Sequence, residues 1–263
     1  MLTLSAIVIQ FTLQFALARP TFANPLVNGI AESFQEISAV SEIITQECPP
    51  DACVVIGIGR SPSPFIAHLQ NQKPGWAWNV PLSSFRYGMS GIKPLSAELE
   101  EGLFDHFDRF LPPASELVGR QILLFDFTFS GDSVAATQTY LQKYSDQRNH
   151  SLQIKSLALV TYAPSENEFW HPILRYFVEI SKKCNLAKLL HKQVFDSVSE
   201  FGAFDITKHS STELQSNPAY FQLKAELSKL ALHENFTSDG KLAILHDLDV
   251  INLSKQMSGG NGG

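Results

Sequence analysis

The chain has 263 residues, 44% of them hydrophobic and 17% charged, with a net charge of -6. That balance excludes a disordered chain and leaves no basic footprint for nucleic acid. Three cysteines are too few for a disulfide framework.

Residues 1–23 read as a secretory signal peptide. Leu2 to Ala18 is mostly apolar, Arg19 and Pro20 end the run, and Thr21-Phe22-Ala23 places small residues at the -3 and -1 positions of a cleavage site. A retained anchor is the rival, but polar residues interrupt a stretch that would need ~20 apolar positions to span a bilayer. The expected location is therefore secreted or periplasmic, with no stable membrane insertion after cleavage. One domain is expected over residues 24–257, followed by a disordered Gly-rich tail at 258–263.

Residues 30–47 place Ile30, Phe34, Ile37, Val40 and Ile44 at helical spacing, and Pro49-Pro50 stop that helix. Cys48 and Cys53 bracket a tight turn able to hold a local disulfide in an oxidising compartment, with Cys184 left over. Cys53 to Ile58 reads as a fully buried strand, Gly59 to Pro64 as a loop, and Phe65 onward as a helix. Residues 71–95 read as irregular, either a surface loop with Trp76 and Trp78 buried in a satellite cluster or, at Ser83 to Gly88 with Arg86, a flap over a site. Ser96 to Phe110 reads as a helix capped by Ser96, with Leu99, Leu103, Phe107 and Phe110 on one face.

The stretch QILLFDFTFSGDSVAATQTYLQ, residues 121–142, has the order strand, small-residue turn, helix. Gly131 lets backbone approach a ligand, and the amides opening the helix have no partners inside it, so they suit a phosphate. The simpler reading is that Ser130 or Asp132 only caps the helix. Ile154 to Tyr162 reads as a third strand. From Glu166 the chain reads as helical, over 172–182, 186–198 and 218–232. Ala243 to Leu245 and Val250-Ile251 read as short edge elements. The expected fold is α/β: a mainly parallel sheet flanked by helices, with a helical C-terminal portion from about 166.

Ligands of open parallel sheets sit beyond the carboxyl ends of the strands, where both turns fall. One turn supplies Gly59, Arg60 and Ser61. The other supplies Asp126 and Ser130, Gly131, Asp132 and Ser133. A cationic loop near an anion-binding turn suits a ligand with two phosphate groups, and a carboxylate between them suits sugar hydroxyls. His68 reads as a packed histidine rather than a base.

ILLFDFTFSGDSVAAT resembles the phosphoribosyl-pyrophosphate-binding motif of type I phosphoribosyltransferases: a hydrophobic strand, two acidic residues, three variable positions, then Thr-Gly-x-Thr. Phe125 and Asp126 fall on the acidic pair, and Ser130-Gly131-Asp132-Ser133 on Thr-Gly-x-Thr. CVVIGIGRSPSPF resembles that family's pyrophosphate loop. The resemblance covers roughly residues 50–165. It implies that amides of Ser130 to Ser133 hold a 5′-phosphate, that Asp126 binds a ribose hydroxyl, and that Gly59 to Ser61 hold pyrophosphate, normally with Mg²⁺. The first acidic position is Phe125, so one ribose-binding carboxylate is missing. A second resemblance is to sugar isomerase (SIS) domains, in which Ser61, Thr128, Ser130 and Ser133 would hold a phosphosugar. The long span from Arg60 to Ser130 favours the transferase-like reading.

Two functions follow as expectations. One is a divergent phosphoribosyltransferase-like enzyme. The other is an exported binding or interaction protein that keeps the fold without the reaction. The expected partner is a phosphorylated sugar or nucleotide, and no protein partner can be named.

Overall fold

The computed structural model describes residues 29–83 apart from 31, then 85, 94–161 apart from 129, 176–179, 183, 185–191, 199–208, 214–233 and 250–252. The signal-peptide segment, Arg86, Cys184, the 243–245 element and the Gly-rich tail lie outside these residues.

In chain order the elements are α1 (Phe34–Glu47), β1 (Cys53–Ile58), α2 (Ser63–Gln72), β2 (Ala77–Val80), α3 (Ala97–Phe110), α4 (Ala114–Leu117), β3 (Gln121–Phe127), α5 (Asp132–Arg148), β4 (Gln153–Val160), β5 (Tyr176–Glu179), α6 (Asn185–His191), α7 (Pro218–His233) and β6 (Val250–Asn252). The strands form one sheet in the order β2-β1-β3-β4-β5-β6. Strands β1 to β5 are parallel, and β6 closes the edge antiparallel to β5. The expected α/β architecture with a mainly parallel sheet is therefore present.

Two local expectations are corrected. Residues 71–95 are not irregular throughout, because Ala77 to Val80 form a parallel edge strand on β1. Four residues containing Trp78 and Asn79 between Pro74-Gly75 and Pro81 carry too little alternation to announce a strand. Residues 172–182 are not a helix where described, because Tyr176 to Glu179 pair with β4. A short apolar run fits either period, and here β4 supplies the partner that settles it. Helix α7 and edge strand β6 lie where expected.

Period-two alternation divides the core. Val55, Leu123, Phe125, Leu157 and Leu159 face one layer, together with Phe34 and Ile37 of α1, Phe65 and Leu69 of α2, Leu186 of α6, and Leu223 and Leu227 of α7. Val54, Ile56, Ile122, Leu124, Ala158 and Val160 face the other, with Leu103 and Phe107 of α3 and Val134, Tyr140 and Tyr144 of α5. Both faces are covered, as a parallel sheet requires. The Ser96 cap is present, its Oγ accepting from the Leu99 amide (3.3 Å). Cys48 and Cys53 form a disulfide beneath β1, and the Arg120 guanidinium holds the same turn through the carbonyls of Pro50 (2.8 Å) and Cys53 (2.6 Å). Among the described residues no helix is long and apolar enough to cross a membrane.

This layering creates a switch point. After β1 the chain crosses through α2 on one face and moves outward to β2. After β3 it crosses through α5 on the other face and moves the opposite way to β4. The turns that follow β1 and β3 therefore lie at the carboxyl ends of adjacent strands, where ligands of such sheets bind.

Candidate functional site

The β1 turn is built for close approach. Gly59 has φ +72°, and a Cβ there would lie 2.6 Å from the Leu82 carbonyl oxygen. Its amide donates to the Val80 carbonyl (2.8 Å), and its carbonyl accepts from Asn79 Nδ2 (2.7 Å). The last residues of β2 thus clamp the turn from both sides. Arg60 and Ser61 follow, each partly exposed. Gly59→Ala combines a left-handed backbone with that clash. It should cost about 2 kcal/mol or more in urea unfolding, while unchanged stability would mean the turn is not held as described.

The β3 turn is tied together internally. Gly131 has φ +77° and precedes α5. Its amide donates to Thr128 Oγ1 (2.9 Å). Ser130 Oγ donates to Asp132 Oδ2 (2.9 Å), and the Asp132 amide reaches back to Ser130 Oγ (3.4 Å). Of the four amides expected to hold a phosphate, that of Gly131 is therefore already used by Thr128. The Ser133 and Val134 amides in the first turn of α5 have no acceptor among the described residues. A seventeen-residue helix adds its positive end at the same place.

Asp126 is the buried acid of this end of the sheet, only 7% exposed. Its Oδ2 accepts from the Ser133 hydroxyl (3.1 Å), while Oδ1 is buried without a partner. Burial pushes its carboxyl up to about 8; the Ser133 hydroxyl and the Phe127 amide pull the other way without matching that cost. Asp126 is thus mostly protonated at neutral pH.

Phe125 does not share a face of the sheet with Asp126. Its ring is fully buried on the opposite face of the sheet from Asp126 and packs edge-on against Phe65, with centroids 5.2 Å apart. Adjacent residues of a strand point to opposite faces, so this follows from the pleat.

The structure brings Gly59, Arg60 and Ser61 to the same end of the sheet as Asp126 and Ser130 to Ser133, on neighbouring parallel strands. His68 is packed edge-on against Phe34, as expected. Two polar residues were missed. Asn79 was hidden because its strand was not recognised. His106, fully buried, donates from Nε2 to Pro81 O (2.8 Å) and stacks on Phe204 with ring centroids 4.1 Å apart. Burial lowers it to about 4, so it is neutral, and it anchors the chain leaving β2. A His inside an amphipathic helix gives no sign of this in sequence.

Comparison with protein-family models and with curated proteins finds no match to this chain.

Proposed function

We propose that the β1 and β3 turns together bind a phosphorylated ribose, in the manner of phosphoribosyltransferase-like proteins. One observation carries the reading. A buried carboxyl with an unpartnered oxygen lies directly before a glycine turn, and the Ser133 and Val134 amides of the helix that follows have no acceptor among the described residues. The phosphate would take the amides of Ser133 and Val134, Asp126 would hydrogen-bond the ligand beside them, and the Gly59–Ser61 turn would meet further phosphate with Arg60 at its rim. Asp126 and Asp132 are the carboxylates of the two turns. The first is held mostly neutral and the second accepts the Ser130 hydroxyl. Side chains therefore make a poor Mg²⁺ cage, and Mg²⁺ belongs to this reading only as the companion of a bound pyrophosphate.

Binding is better supported than group transfer. Phosphoribosyl transfer develops positive charge on the sugar, which a neutral Asp126 does little to stabilise, and Phe125 offers no second carboxylate. Export to a secreted or periplasmic location is part of the proposal; the N-terminal segment and the Cys48–Cys53 pairing support it.

Titration calorimetry with ribose 5-phosphate, and with phosphoribosyl pyrophosphate plus Mg²⁺, tests the reading. Binding should be measurable at millimolar ligand. Asp126→Ala should weaken it roughly tenfold, the worth of about one hydrogen bond to a buried group. Absence of heat with either ligand would overturn the proposal.

A further inference from the structure

We propose that Asp126 acts in its acid form, donating a hydrogen bond from Oδ1 to an oxygen of the anionic ligand, so that the site holds the anion and one protein proton together. This rests on the reading of the two turns as a phosphate site and specifies how that site is charged. Three observations carry it.

First, the two carboxyl oxygens are unequal. Oδ2 accepts from the Ser133 hydroxyl, and Oδ1 has no partner, so the proton resides on Oδ1. A protonated Oδ1 is a donor, whereas an ionised one would be a buried acceptor that the Ser133 hydroxyl and the Phe127 amide do not stabilise enough to offset burial.

Second, no cation among the described residues makes an ion pair with Asp126. On β4 its register partner is Ala158, and β1 ends beside it at Gly57 and Ile58. From α5 it meets the Ser133 hydroxyl. The ionisable groups of the surrounding elements are Arg60 on the β1 turn, Asp132 on α5 and His106 on α3. Asp132 is engaged with Ser130, and His106 is neutral. Burial is the largest influence on the proton affinity of Asp126.

Third, the acid lies next to the end of α5 that attracts anions. An ionised Asp126 would repel a phosphate there; a neutral one adds a donor. The proton therefore belongs to the anion site, and ligand affinity falls as it is lost.

Sulfate is the probe, because it remains a dianion across the working range. In the wild-type full chain, sulfate affinity should fall about tenfold between pH 7 and pH 9, following the acid fraction of a group titrating near 8. Asp126→Asn keeps a donor that cannot ionise. It should bind sulfate at pH 9 as the wild type does at pH 7, with a flat profile between. Wild-type sulfate affinity that is flat or rises from pH 7 to pH 9, while ribose 5-phosphate still binds, would overturn this inference and leave the binding reading standing. Failure of both sulfate and ribose 5-phosphate to bind would overturn both. The wild-type profile decides the question even if the variant folds poorly.

Discussion

Phe125→Asp is expected to leave the chain unfolded at 25 °C. The ring is fully buried between the sheet and α2, edge-on to Phe65. Truncating a buried Phe costs about 3–5 kcal/mol. An unpaired carboxylate in its place adds several more or forces protonation. Together these approach the whole stability of an ordinary domain, about 5–15 kcal/mol. Phe125→Leu, which keeps the site apolar, should lose only about 1–2 kcal/mol. Near-ultraviolet circular dichroism and urea unfolding distinguish the two. A folded Phe125→Asp protein with an unchanged urea midpoint would mean that the ring does not lie in this layer. The consequence for function is direct. Read along the motif, Phe125 is one lost acid of a pair; read in the fold, it is a core residue on the opposite face of the sheet from Asp126. Restoring the acid would remove the core rather than rebuild a binding group.

Asp126→Asn is expected to act in the opposite direction, making the ligand-free protein more stable at pH 8 than the wild type. Below its ordinary value of 3.8 the Asp126 carboxyl is protonated in both folded and unfolded chains. Between there and about 8 the unfolded chain has released the proton and the folded chain keeps it, so rising pH favours unfolding; above about 8 the loss is complete. Over the full interval this amounts to on the order of 5 kcal/mol at about 1.4 kcal/mol per decade of proton affinity. Glu200, raised to about 7 chiefly by burial against the opposing pull of Lys224 and Gln70, slopes the same way. His106, lowered to about 4, slopes oppositely: its contribution is present above 6.5 and lost as pH falls through 4. The best window is therefore pH 7 to 8, above the range of His106 and most of that of Glu200, where Asp126 should cost the wild type about 1 kcal/mol. Thermal or urea unfolding across that window should show the decline in wild type and a much flatter line in Asp126→Asn. Equal slopes in both proteins would show that Asp126 is not the group responsible. A carboxyl that lowers stability while sitting at a helix mouth is what a binding site held against the interests of the fold would look like.

The sequence carried the parts of this fold that rest on long apolar runs. The strands at 53–58, 121–127 and 153–160 were legible because short runs rich in Val, Ile, Leu and Phe have few alternatives in a globular chain. Strands β2 and β5, four residues each, were not, since their identity depends on the partner strand rather than on local pattern. The two turns were found for a sound reason, glycine followed by small polar residues at strand ends. Their internal wiring was not readable. Nothing in FTFSGDS states that Thr128 takes the Gly131 amide, or that Asn79, twenty residues downstream of Gly59, clamps its carbonyl. Strict alternation along Leu123, Leu124, Phe125 and Asp126 did contain the information that Phe125 and Asp126 part company, but motif matching by position treats neighbours as a pair and conceals it.

The central claim is that a phosphorylated sugar lies between the turns after β1 and β3. Amide-resolved NMR titration of the full chain with ribose 5-phosphate tests it most directly. The account predicts that the largest shifts, saturating together, fall on Ser133 and Val134 at the start of α5 and on Gly59 to Ser61, with Asp126 moving alongside them. Saturable shifts confined to other surfaces, with these amides unmoved, would contradict it.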